Sequence, residues 1–273
     1  MLFAAAAETL IEFGENPRWL GGEIAATLVL HTWGQTLTQH LHAHALVAAG
    51  ALSEAGAWIR SRSGFLFPVT ALSVVFRAKF LDVLGEALGH GRFALSEATA
   101  ALAEPSAQRT LLATLRAKAW VVYAKRPFGG PAQVLEYLGR YTHRTAIGNE
   151  RLVAFDQRSV RFRFKDYARA GKRKVLALDP LEFLRRFALH VLPRGFNRIR
   201  HYGLIANRNK HAFLERARAA LHASAPAREA TPAESIVAFW QRVAGIDISR
   251  CPNCRLGTLR LVATLAPQSH PPP

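Results

Sequence analysis

Cysteine is nearly absent from this 273-residue chain, at two residues, so no disulfide framework can support the fold. Long apolar runs are also missing. No stretch is long enough to span a bilayer, and the short apolar start, Leu2 to Ala7, meets Glu8 too soon to be a signal peptide. The expectation is therefore a soluble, cytoplasmic protein without a membrane partner. No internal repeat is visible, which excludes solenoid architectures. Acidic residues are scarce as well: 19 Asp/Glu face 36 Lys/Arg, a net charge of +17.

Half of the residues are hydrophobic, enough for a substantial core. The charge is not spread evenly. Between Arg116 and Arg218 lie 24 Lys/Arg and 7 Asp/Glu, leaving 12 of each sign elsewhere. A localised basic block attracts phosphate backbones through counterion release, so a nucleic acid is the expected partner. Aromatic residues such as Phe155, Phe162, Phe164, Tyr167 and Tyr202 are interleaved with the cations. Such rings can stack on bases, but alternation in a strand makes core equally well.

Periodicity predicts a helix over 3–13, a strand over 22–33 and a second strand over 39–49. A short strand around Trp58 and a helix over 70–89 follow, then two helices within 94–117. Residues 120–124 read as a buried strand. A Gly/Pro loop, 127–131, opens a helix to about Arg144. Strands are expected at 151–156, 159–164 and 172–178, and helices at 179–191, 207–223 and 233–244. Residues 1–221 form the expected main domain, 222–232 an Ala/Pro/Ser-rich linker, and 233–273 a C-terminal segment with a disordered tail.

Three constellations carry chemistry. In the strand at 39–49, His42 and His44 share one face with His40, so two imidazoles can hold one cation. In the helix, Tyr137 and Tyr141 stand one turn apart on one face, where both hydroxyls could reach one phosphate or two successive ones. Cys251 and Cys254 form half of a zinc knuckle, which needs a second pair to close a tetrahedral site. Each pattern alone has an ordinary explanation, as half-exposed strand histidines or as helix-packing tyrosines.

Taken together, the motifs resemble a known family. HTWGQTLTQHLHAH at 31–44, PFGGP at 127–131 running into VLEYLGRYTHRTAI, and VLPRGFNRIRHYGLIANRNK at 191–210 resemble, in the same order, the rolling-circle insertion-sequence transposases with two catalytic tyrosines. The similarity spans roughly residues 2–218 and begins after the point where such transposases carry a cysteine-rich zinc module. Ala43 stands where the family usually has a bulky aliphatic residue.

The resemblance implies an α+β fold of the HUH endonuclease type: an antiparallel sheet carrying the histidines, flanked by helices, with a helical C-terminal extension. It implies a metal-dependent single-strand DNA endonuclease and strand transferase, with His42 and His44 holding Mg²⁺ or Mn²⁺. Tyr137 and Tyr141 would be the nucleophiles, forming a 5′-phosphotyrosine link and a free 3′-hydroxyl, with Arg144 at the phosphate. Gln35 is the favoured third ligand, with His40 and Gln133 as alternatives. Arg161, Arg163, Lys165, Lys172, Arg173, Lys174, Arg198, Arg200, Arg208 and Lys210 are the expected DNA contacts. Neutral histidines are needed to bind a cation, so activity is expected to fall below about pH 6. Two alternatives stay open: a truncated, non-catalytic DNA-binding remnant, and a replication initiator or relaxase with the same chemistry. Oligomeric state is not legible.

Overall fold

The structure is a computed structural model that describes residues 1–61, 66–142, 146–208, 210–224, 234–254, 256–260 and 262. It divides into two compact units, Met1–Ser224 and Ala225–Pro273. The first is α+β, as expected, with a four-stranded and a three-stranded antiparallel sheet flanked by helices.

The chain opens with helix α1 (Leu2–Glu15), whose Phe3, Ala7 and Phe13 recur at near-helical spacing and are buried. Strands β1 (Glu23–Trp33) and β2 (Gln39–Leu52) form a long hairpin, with β3 (Trp58–Arg60) on its outer edge. On the α1 side of β1, Leu28 and Leu30 pack against Phe3 and Ala7, while Ile24 and Ala26 meet Phe13, Phe67 and Leu72. Helix α2 (Val69–Gly89) contributes Leu72 to this core. One face of the sheet is thus sealed by helices, and the alternate side chains of β1 face the other way.

The segment 120–124, expected as a strand, forms no ladder. Its alternation is real: Trp120 packs on Phe76 and Phe80 of α2, Val122 meets the core, and Val121 and Tyr123 are exposed. It docks on a helix, so period-2 patterning produced an extended segment without sheet partners. A 3₁₀ turn (Glu97–Ala103) and α3 (Pro105–Ala117) precede it, and α4 (Pro131–Thr142) follows.

The second sheet comprises β4 (Leu152–Phe155), β5 (Val160–Asp166) and β6 (Lys172–Leu178) in that order. Its Phe162 is fully buried against Leu37 at the β1–β2 turn, and α5 (Pro180–Ala188) adds Phe183 and Phe187. Leu37 takes a left-handed backbone (φ 59°) to enter this core. Three further contacts hold the turn. Arg186 donates to Thr36 O at 3.1 Å, Arg151 donates to Gln35 O at 2.5 Å, and buried His190 bridges Thr32 Oγ1 and Leu37 O at 3.1 Å each.

Sequence reading missed β7 (Ile199–Gly203), which pairs antiparallel with β1 and completes the first sheet. Only five residues long and rich in polar side chains, it lacks a hydrophobic run. Gly203 (φ 61°) closes it: a Cβ there would lie 1.9 Å from Ile24 O, so only glycine permits this approach. Helix α6 (Lys210–Ala220) ends the described secondary structure of this unit. The second unit holds α7 (Ile236–Ala244), capped by Ser235 Oγ, which accepts from Ala238 N–H at 3.1 Å.

Candidate metal and tyrosine site

The β1–β2 register sets His31 opposite His42 and Val29 opposite His44. Paired residues share a face, so His31, His42 and His44 converge on the side of the sheet away from α1. One ring nitrogen from each lies within 4.8 Å of the others. The rings of His31 and His44 are 4.3 Å apart, and those of His42 and His44 are 5.0 Å apart. His31 itself is buried and stacks on Trp33 at 4.6 Å, which fixes its plane. His42 Nδ1 lies 2.8 Å from His40 O and donates to that carbonyl, so Nε2 keeps a lone pair for a ligand. Three imidazoles with this closeness fit a divalent cation.

The third member was not anticipated. Gln35 is committed elsewhere: its Oε1 accepts from Lys165 N–H at 3.2 Å, in the contact between the turn and the second sheet. Gln133 instead caps its own helix, accepting from Gly129 N–H at 2.7 Å. His40 contributes its carbonyl. The signal for His31 was present in the hairpin register, because residues 31 and 42 face each other across the turn.

Helix α4 brings Tyr137 to this cluster. Its hydroxyl lies 2.8 Å from His44 Nδ1, within hydrogen-bond distance. Phe128 packs on its ring at 5.2 Å, and the Lys125 ammonium sits 6.0 Å from the ring centroid. Lys125 belongs to the loop before α4 and carried no sequence signal beyond membership of the basic block. Tyr141 follows Tyr137 one turn later on α4. Arg144 lies outside the described residues.

Desolvation pushes the pKa of His44 down to about 3, helped by the neighbouring His31, His42 and Lys125. Desolvation also lowers His42. The His44 ring therefore stays neutral, and able to bind a cation, well below the pH 6 limit expected from sequence, and His42 shifts in the same direction. Unfolded His44 takes up a proton as pH falls through about 6.5, while the folded ring resists until about 3. The metal-free protein should keep this stabilisation above pH 6.5 and lose it progressively toward pH 3. NMR titration of His44 should show a neutral ring at pH 5, and urea midpoints should fall over the same window. A His44 midpoint near 6.5 would contradict the burial argument.

The basic residues do not form one surface. On β5 and β6, Arg161, Arg163, Lys165 and Arg173 share one exposed face, opposite the buried Phe162 face. Lys174 pairs with Asp166 at 2.7 Å, and Lys172 stands opposite Asp166 on that other face. On β7, Arg200 pairs with Leu28 and its guanidinium lies 5.0 Å over Phe3, on the α1 side away from the histidines. His201 faces the histidine side, bonded to Thr27 Oγ1 at 2.9 Å, and Lys210 is close enough to help lower its pKa. Arg208 is exposed and Arg198 is half-buried.

Residues 25–212 match the family model Y2_Tnp, "Putative transposase". This chain is a member of that transposase family. It is 44% identical over 274 residues to "Putative transposase y4qJ" of Sinorhizobium fredii, an alignment covering all of this chain and 69% of the relative. It is 27% identical over 255 residues to the "Transposase for insertion sequence element IS801" of Pseudomonas savastanoi pv. phaseolicola, covering 93% of this chain and 59% of that protein. No solved structure gives a significant match. Among the described residues no helix is long and apolar enough to cross a membrane.

Proposed function

We propose that this transposase family member nicks and rejoins single-stranded DNA through a 5′-phosphotyrosine intermediate, in rolling-circle-like transposition. The observation that carries the reading is the Tyr137 hydroxyl 2.8 Å from an imidazole of the three-histidine cluster. A nucleophile and a cation site so close can act on one phosphodiester.

His31, His42 and His44 would hold a divalent cation, which when bound neutralises a non-bridging phosphate oxygen and orients the phosphorus for in-line attack. Imidazole nitrogens suit transition-metal ions better than Mg²⁺, a hard ion that prefers oxygen ligands, so Mn²⁺ should support activity better than Mg²⁺. Tyr137 forms the new P–O bond while the P–O3′ bond breaks. The phenol loses a proton and the leaving 3′ oxygen gains one, so protons balance and the bond energy is kept in the phosphotyrosine. The Lys125 ammonium favours the negative charge that grows on the phenol oxygen. Tyr137 makes the first cut, and Tyr141, one turn along, serves the second.

The unpaired strand follows the exposed face of Arg161, Arg163, Lys165 and Arg173, with Lys210 on the histidine side of the first sheet. Neutralising Arg161, Arg163, Lys165 and Arg173 to Gln should reduce the slope of log affinity against log salt by about 0.7 per lost phosphate contact, read by anisotropy with a labelled oligonucleotide. Changing Lys172 and Lys174 should alter the slope much less. Equal effects from both sets would remove the face assignment.

The experiment is nicking of end-labelled oligonucleotides with Mn²⁺, single-stranded and duplex, by the native chain and His42→Ala. The native chain should nick single strands only, and the variant should not nick. Binding by both without nicking by either would leave a DNA-binding protein.

A further inference from the structure

The edge strand β7 brings a second functional group to the histidine face, one that the nicking chemistry does not use. His201 pairs with Thr27 of β1, which lies four residues before His31 and so on the same face of that strand. His44 pairs with Val29 from the other side of β1. With a rise of about 3.3 Å per residue and about 4.8 Å between strands, the His201 and His44 backbones lie about 12 Å apart. His201 therefore shares the face of the three-histidine cluster without belonging to it.

Its ring is held in place. Nδ1 lies 2.9 Å from the hydroxyl of Thr27, a side chain only 7% exposed, while His201 itself is exposed. That bond occupies one ring nitrogen and leaves Nε2 for a partner from solvent. Lys210, the first residue of α6, is exposed and close enough that its charge adds to burial in lowering the His201 pKa. Other cations of the chain are matched by acids: Lys79 by Glu12, Lys174 by Asp166 and Arg242 by Glu234. Among the described residues Lys210 has no such carboxylate within ion-pair distance. An ammonium beside a fixed imidazole, with no internal anion, attracts an external one.

We propose that His201 and Lys210 form a second phosphate subsite, which holds a backbone phosphate of the DNA strand other than the one being cut. The inference rests on the single-strand DNA reading and deepens it: a second fixed phosphate sets the direction in which the strand crosses the first sheet. Thr27 Oγ1–H donates to Nδ1, the ring proton sits on Nε2, and Nε2–H donates to a phosphate oxygen. Lys210 supplies the opposite charge. His201 is a positioning residue here and takes no part in bond making.

The test uses the full chain without metal, its histidines labelled with ¹³C, and the His201 resonance assigned from its loss in His201→Ala. Oligothymidylate added at constant pH should shift the His201 Cε1–Hε1 resonance. The same strand with a uniform methylphosphonate backbone, which keeps the bases and lacks the charge, should leave it in place. By anisotropy, His201→Ala should bind the charged strand about 10-fold more weakly, as for loss of a hydrogen bond to a charged group. Lys210→Gln should lower the slope of log affinity against log salt by about 0.7. Circular dichroism checks that both variants fold. Charged strand that binds without moving His201, a shift reproduced by the uncharged strand, or native affinity in His201→Ala would each overturn the subsite and leave single-strand binding standing. No binding of the charged strand to the native chain would overturn the subsite together with the DNA reading on which it rests.

Discussion

Tyr137→Phe should abolish the first covalent adduct with single-stranded DNA, lowering its rate by roughly 10⁴-fold or more, as expected for loss of a nucleophile. The substitution removes one hydroxyl and keeps the ring that packs on Phe128. Tyr141→Phe should leave the first nick within a few-fold of native and eliminate joining between two sites. The asymmetry follows from Tyr137 lying beside His44. A denaturing gel of labelled oligonucleotide, run for both variants and the double, separates the steps. If Tyr137→Phe still forms the adduct and Tyr141→Phe does not, the order of attack is reversed.

The second large effect concerns His31. His31→Gln should weaken Mn²⁺ binding by on the order of 100-fold and reduce nicking at low Mn²⁺, with partial recovery at high Mn²⁺. Loss of a proposed direct ligand should cost the upper end of what lost supporting groups cost at metal sites. Gln35→Ala should leave Mn²⁺ affinity nearly unchanged, since that amide bonds to Lys165 in the turn contact. Titration calorimetry of both variants, with thermal unfolding to check that buried His31 can be replaced, decides between them. Strong weakening by Gln35→Ala with none by His31→Gln would restore the sequence-based choice of ligand.

Those two residues show where sequence reading reached and where it stopped. The His42/His44 pair was legible because strand alternation is a local property, and the hairpin that carries it was outlined by two apolar runs. His31 was hidden because its place in the cluster depends on register, a relation between two strands that a scan along one strand does not examine. Gln35 looked suitable because it precedes the histidines in sequence. The turn that holds it was instead claimed by Arg151, Arg186 and His190, long-range contacts invisible to spacing. The basic block was visible as composition. Its division into an exposed face, an ion pair with Asp166 and an arginine over Phe3 required the strand pairings. Strand β7 escaped because polar residues on a short strand leave no periodic signal, yet it supplies the His201 side of the same face.

The burial that neutralises His44 also explains why His-x-His alone was a weak motif. Exposed histidines at that spacing would titrate near 6.5 and bind a cation poorly in mild acid. Here the Tyr137 helix and the opposite strand bury His44, so in the proposed function packing as well as ligand identity would ready the cluster for a cation.

The most direct test is to trap the native chain on a single-stranded oligonucleotide with Mn²⁺, digest it, and locate the nucleotide-bearing peptide by mass spectrometry. The expected result is a phosphotyrosine at Tyr137, formed only with metal and absent from His42→Ala. An adduct on a residue outside α4, or one formed equally well without metal, would contradict the account.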